Sequence, residues 1–168
     1  MDFGGAKAEL EDGLIFMMAG GSEAHSRVAT DLILAVGPRL RGSGCRPYDP
    51  DMALRTDAQT IRHPDVSIYC DDPGRSGRDD ARLLGVPTII FEVLSPSTHR
   101  LDLHTKLPEY KALAAVQAVV LVDLRDETIR LVQRTATGWI ERVTGAGEPL
   151  VLDTLGIAIP HADIFSRD

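Results

Sequence analysis

The stretch Pro87-Thr88-Ile89-Ile90-Phe91-Glu92-Val93-Leu94-Ser95-Pro96 restricts this chain more than any other. Prolines at both ends bracket a β-branched and aromatic run of strand length, and a run apolar on both faces belongs in the middle of a sheet. Glu92 breaks the pattern. It shares a face with Ile90 and Leu94 at the two-residue period of a strand, and no basic residue adjoins it. An ionised carboxylate without a partner is costly to bury, so a side chain from elsewhere or a bound cation must answer it.

Composition bounds what surrounds that strand. A chain of 168 residues, 43% hydrophobic and 26% charged, suits one globular domain spanning residues 1–168. The first residues lack the basic and apolar regions of a signal peptide, and no apolar run approaches membrane-spanning length. The reading is therefore a cytoplasmic protein with no membrane partner. Cys45 and Cys70 show no metal-ligand spacing and read as small core fillers. A net charge of −7 argues against a general nucleic-acid coat protein, which gains affinity by neutralising phosphates with Lys and Arg. It does not argue against an enzyme that cuts phosphodiesters, whose site needs carboxylates of its own.

Along the chain, residues up to Gly13 show no clear period, and Leu14 to Met18 form a short apolar strand. From Ser22 to Leu40, Val28, Leu32, Ala35, Val36 and Leu40 recur at helical spacing, with Ser22 as N-cap and Gly42 just past the end. Arg39, Arg41 and Arg46 then complement the helix dipole as solvated charges, with a phosphate contact as the alternative. Residues 45–56 read as an irregular strand or hairpin packed through Met52, Ala53 and Leu54, with Asp49 and Asp51 in turns. Asp65 opens a strand in which Val66, Ile68 and Cys70 alternate with Ser67 and Tyr69, so that Asp65 faces away from the apolar set.

Residues 71–85 read as a loop followed by a short helical turn, with Arg75, Arg78 and Arg82 either solvated or reaching a polyanion. Ser97 or Thr98 caps a second helix to about Ala115. Asp102, Lys106 and Tyr110 share one face of it, and Pro108 should kink or delay it. Ala118 to Val122 is another buried strand. Thr128 to Gln133 and Gly138 to Val143 form an antiparallel pair, and Val151-Leu152, Ile157 to Ile159 and a terminal turn at His161 to Phe165 close the chain. This order gives a mixed α/β sheet with helices against it and extra antiparallel strands at the C-terminus.

The chemistry lies in Asp65 and Glu92, each on a strand, with Lys106 on the helix after the second. Two carboxylates converging from neighbouring strands can hold Mg²⁺, whose preference for hard oxygen donors suits them. Such an ion polarises a phosphodiester and lowers the pKa of bound water, while the lysine steadies the water or the developing charge. The alternative is a buried Glu92–Lys106 salt bridge with no metal. His25 either lines the same cleft or serves as a cap or solvated residue. Ser95, Asp102 and Tyr110 are candidates for orienting Lys106.

A resemblance joins these positions. His63-Pro64-Asp65-Val66-Ser67-Ile68, Phe91-Glu92-Val93-Leu94-Ser95-Pro96-Ser97-Thr98, then Asp102, Lys106, Tyr110 and Val120-Leu121-Val122-Asp123 resemble the Uma2 family (DUF820) of restriction-endonuclease-like proteins. Met18, Gly20, His25 and the segment Gly37 to Gly42 are similar to it as well, so the likeness runs from about Gly13 to Phe165. The family's place in the PD-(D/E)XK nuclease superfamily implies a restriction-endonuclease-like core, a mixed sheet flanked by helices. Pro64-Asp65 resembles the PD element and Glu92-Val93-Leu94 the (D/E)XK element, with Leu94 where the superfamily's lysine stands and Lys106 as its replacement. The resemblance implies a Mg²⁺-dependent endonuclease acting on DNA as a homodimer, with Mn²⁺ able to substitute. Metal ligands would then be Asp65, Glu92 and the Val93 carbonyl. Leu94 and the acidic net charge speak for the rival, a catalytically inactive nuclease-fold module that binds nucleic acid or protein.

Overall fold

The computed structural model describes residues 7–18, 20–70, 81–96 and 98–167. In chain order its strands are β1 (Ala8–Glu11), β2 (Leu14–Met17), β3 (Cys45–Tyr48), β4 (Leu54–Arg55), β5 (Ile61–Arg62) and β6 (Val66–Cys70). They continue with β7 (Ile89–Leu94), β8 (Ala118–Asp123), β9 (Thr128–Thr135), β10 (Gly138–Thr144), β11 (Leu150–Leu152) and β12 (Ile157–Ile159). The helices are α1 (Glu23–Arg39), α2 (His99–Leu101), α3 (Leu107–Ala112) and α4 (His161–Ile164). A π-helical turn, Asp102–Lys106, joins α2 to α3.

The main sheet has the order β10-β9-β8-β7-β6-β3, and every neighbouring pair is antiparallel except β7 with β8. As its composition predicts, β7 is an interior strand buried along its whole length. The pleat divides its side chains between two cores. Ile89, Phe91 and Val93 join Val28, Leu32 and Val36 of α1, whereas Ile90 and Leu94 join Leu54, Tyr110 and Leu121 on the opposite face. Glu92 belongs by period to the second face, under α3. A smaller sheet, β2-β1-β5-β4, borders this side, and β11 pairs with β12.

Helix α1 forms where its apolar spacing predicts. The Ser22 side chain accepts from the His25 amide at 3.2 Å, and Gly42 follows in the left-handed region at φ +78°. Arg39 takes the solvated role, donating to the Ala35 carbonyl and to Asp163. The Asp51 amide bonds to the Asp49 carboxylate in a turn, and Leu54 is fully buried.

Other expectations are corrected. The aperiodic N-terminal stretch contains β1, whose partner β2 turns all four apolar side chains to the exterior. The alternating strand forms as β6, with Ser67 and Tyr69 buried along with Val66 and Ile68. Flanked by β3 and β7, it is covered on both faces. Cys45 and Cys70 are not separate core fillers: the β3–β6 register sets them opposite each other and they are disulfide bonded. Residues 81–88 form no helical turn; Leu83 bridges to Ala53 and Arg82 is exposed. Arg75, Arg78 and Ser97 lie outside the described residues. The second helix ends at Ala112 rather than near Ala115, because Leu113 is already extended. No helix among the described residues is long and apolar enough to cross a membrane.

Candidate functional site

Asp65 and Glu92 meet because of the β6–β7 register. Val66 faces Phe91 and Ser67 faces Ile90, so one further step brings Asp65 opposite Glu92 on the same face of the sheet. Pro64 precedes Asp65 and frees the chain from regular pairing there. The Asp65 carboxylate is fixed from two sides: the Val93 amide donates to Oδ2 at 2.8 Å, and His25 Nε2 lies 3.1 Å from the same oxygen. His25 thus lines the site, held by the Ser22 cap at its backbone and by Asp65 at its ring. That bond raises the affinity of the His25 ring for a proton, more than burial lowers it.

Glu92 is 2% exposed, and the Tyr110 hydroxyl donates to its Oε1 at 2.6 Å. Lys106 Nζ stands 3.7 Å from that oxygen, 3.5 Å from Asp102 Oδ1 and 3.1 Å from Glu9 Oε1. Burial pushes the Glu92 carboxyl well up; Lys106 opposes this, and the nearby Asp65 and Asp102 charges add to the upward push. Asp102 is raised by burial too. Burial works against the Lys106 ammonium, but Glu92, Glu9 and Asp102 outweigh it and hold its pKa above the ordinary lysine value. These directions agree, since one ammonium faces three carboxylates and cannot neutralise them all. Lys106 therefore keeps its proton and acts as a donor and positive charge, not as a base.

The π turn brings these helix residues in. Its wider winding, closed by the Leu107 amide on the Asp102 carbonyl, comes immediately before Pro108, which has no amide and whose ring would crowd the carbonyl four residues back in an α-helix. Ser95 and Thr98 make the helix entry: their hydroxyl oxygens are 3.0 Å apart, and the Thr98 amide donates to Ser95 Oγ at 3.3 Å.

Sequence reasoning missed Glu9. It sits on β1, 6% exposed, and accepts from the His63 amide at 3.1 Å as well as from Lys106. Its other oxygen is 3.3 Å from the guanidinium of Arg62. Arg62 is itself fully buried and is held by Glu11 at 2.9 Å and by a two-point contact with Glu109 at 2.8 and 2.6 Å. The only sequence signal was the acidic alternation of Glu9 and Glu11 around Leu10.

Among the described residues no three His, Cys, Asp or Glu side chains are grouped so as to hold a metal ion between them. Two carboxylates and a carbonyl are nonetheless ordinary for Mg²⁺, which keeps much of its water shell. The buried carboxylates around Lys106 and the oxygen-only side chains of Asp65 and Glu92 are of the chemistry that suits a hard divalent cation. A separate cleft, bordered by Leu40, Cys45, Cys70 and Leu155, contains none of these residues.

A six-stranded mixed sheet with helices against it is a mixed α/β fold with a restriction-endonuclease-like core. The crystal structure of "a putative nuclease belonging to DUF820" from Anabaena variabilis ATCC 29413 has the same fold, with a TM-score of 0.78 over 95% of this chain and 89% of that one at 16% identity. Residues 2–162 match the family model "Uma2: Putative restriction endonuclease", and the chain belongs to the Uma2 family. Similar proteins include two from Synechocystis sp., both called uncharacterized. One, slr1290, is 30% identical over 96% of this chain and 84% of its own length. The other, sll1609, is 25% identical over 70% of this chain and 66% of its own length.

Proposed function

We propose that this chain is a metal-dependent nuclease that hydrolyses phosphodiester bonds in DNA, using Asp65, Glu92 and Lys106. The observation that carries the reading is the buried Lys106 ammonium 3.7 Å from Glu92, which the β6–β7 register sets opposite Asp65. The family description and the name of the Anabaena protein support the same activity.

In this mechanism Asp65, Glu92 and the Val93 carbonyl would hold a divalent ion, Mg²⁺ or Mn²⁺, which would supply Lewis acidity to the phosphodiester. Tyr110 orients Glu92 through its hydrogen bond, and His25 and the Val93 amide orient Asp65. Lys106 donates a hydrogen bond to the attacking water or to the phosphoryl oxygen on which charge builds. Since Lys106 performs this from the helix, Leu94 is free to pack in the core beside Leu54 and Tyr110. A homodimer belongs to this reading, one site for each DNA strand; sedimentation equilibrium should give twice the 18.2 kDa chain mass.

The test is cleavage of supercoiled plasmid and of single-stranded DNA in Mg²⁺ or Mn²⁺ by the wild type, Glu92→Gln and Lys106→Ala. The wild type alone should cut; equal cleavage by all three removes the assignment. A second reading, an inactive module that binds nucleic acid or protein, is favoured by the internal pairing of Lys106 with Glu9, Asp102 and Glu92, which leaves the amine already partnered. Binding of the same DNA without cleavage in either metal would select it.

A further inference from the structure

We propose that Glu9 is the positioning residue for the Lys106 amine, and that Arg62 holds Glu9 in place for that task. The inference rests on the nuclease reading above for the purpose of the amine, and on geometry alone for the positioning.

Lys106 ends a flexible four-carbon stem and needs an anchor to keep one place. Its contacts with Asp102 and Glu92, at 3.5 and 3.7 Å, are beyond good hydrogen-bond length, whereas the contact with Glu9 is 3.1 Å. Glu9 approaches from the smaller sheet, so it draws the amine along a direction that neither the helix nor β7 supplies. The carboxylate cannot follow the amine, because the His63 amide fixes Oε1 and Arg62 approaches Oε2.

Arg62 is anchored in turn. Two strand residues on one face, Glu9 and Glu11, and one helix residue, Glu109, surround its guanidinium. Glu109 lies three residues beyond Lys106 on the same helical stretch. The contacts therefore close a ring: Lys106 to Glu9, Glu9 to Arg62, Arg62 to Glu109, and back through the helix backbone. A fully buried arginine with this many acidic partners costs a fold desolvation that apolar packing would avoid. The ring gives that cost a purpose, since it ties the helix to the smaller sheet at two points, Glu9 of β1 and Arg62 of β5, on either side of Pro108.

The experiment uses the full-length chain and two readouts. The chain has three lysines, Lys7, Lys106 and Lys111, so uniform ¹⁵N-lysine labelling gives a spectrum in which the buried Lys106 ammonium is assigned by its loss in Lys106→Met. In Glu9→Ala the Lys106 signal should shift and broaden while the other two stay; in Glu9→Gln, which keeps an oxygen acceptor, it should stay close to its wild-type position. Steady-state cleavage of supercoiled plasmid with Mn²⁺ should show kcat reduced about 100-fold in Glu9→Ala at unchanged KM, with Glu9→Gln recovering most of the loss. If Glu9→Ala does not fold, Glu9→Asp, which withdraws the carboxylate by one methylene, takes its place with the same expected losses. An unmoved Lys106 signal overturns the proposal whether or not DNA is cut, and so does a moved signal with wild-type kcat. A wild type that cuts nothing overturns the nuclease reading and leaves the ammonium signal to decide the positioning.

Discussion

On the proposed nuclease mechanism, Glu92 is the residue at which stability and chemistry separate. Its charge is held at 2% exposure by the Tyr110 hydroxyl and by an ammonium shared among three acids, so the fold gains little from ionising it. In Glu92→Gln the amide oxygen can still accept from Tyr110, and the buried charge is gone. Urea denaturation should give an unchanged or raised midpoint, while plasmid cleavage falls about 10²- to 10³-fold, the scale on which removal of one preorganised electrostatic group is felt. Lys106→Met is the opposite case. It removes the ammonium that Glu9, Asp102 and Glu92 share, and breaking a buried charge cluster from the cationic side costs about 3–5 kcal/mol, which the same urea titration reads as a lowered midpoint. The two halves of this site were unequally legible. Glu92 announced itself as an acid inside an apolar strand, and Lys106 by its spacing from Asp102 and Tyr110. Glu9 did not, because its burial follows from the pairing of β1 with β5, a contact between Leu10 and Ile61 that no local pattern encodes.

Among the elements, the π turn decides how Lys106 and Tyr110 are turned relative to α2. The sequence shows Pro108 as a disturbance but not whether the chain answers it with a kink, a break or a wider turn; the choice depends on Lys106 and Tyr110 both finding partners under β7. An α-helical turn in place of the π turn drops one residue from the winding and rotates the two sides by about 100°. Pro108→Ala removes the steric reason for the wide turn. Its melting temperature should hold or rise, since alanine favours a helix interior over proline by about 3 kcal/mol, yet plasmid cleavage should fall as Lys106 loses its alignment with Glu92. Retained activity in a variant whose backbone chemical shifts report an unbroken α-helix would show that the turn is incidental. β6 teaches a related point about strands. Its alternation of Val66, Ile68 and Cys70 with Ser67 and Tyr69 is the pattern of a half-exposed strand, but lateral cover from β3 and β7 and packing on both faces override it. Polar side chains on a buried strand are compatible with either outcome until the neighbours are known.

For the whole molecule, strand and helix order were readable from local period, and the sheet order was not. That β7 and β8 lie side by side and parallel follows from the intervening helix, but the separate β2-β1-β5-β4 sheet depends on long-range register alone. This second sheet matters because it adds Glu9 to the acidic surplus around Lys106 that a divalent cation would offset, with Arg62 and Glu11 beside it. Linkage makes that offset measurable without any substrate. A cation that binds the folded chain and not the unfolded one stabilises it by about 2.7 kcal/mol at a hundredfold excess over Kd, and for a domain of this size each kcal/mol moves Tm by about 2–4 °C. Mn²⁺ titrated into the wild type should therefore raise Tm by several degrees, with saturation. Asp65→Asn and Glu92→Gln should each flatten that response, whereas Asp163→Asn, remote from the site and paired with Arg39, should leave it intact. A rise of equal size in all four proteins would mean that the ion binds elsewhere, and no rise in the wild type would mean that the chain's own cations, Lys106 and Arg62, answer the buried acids without a metal.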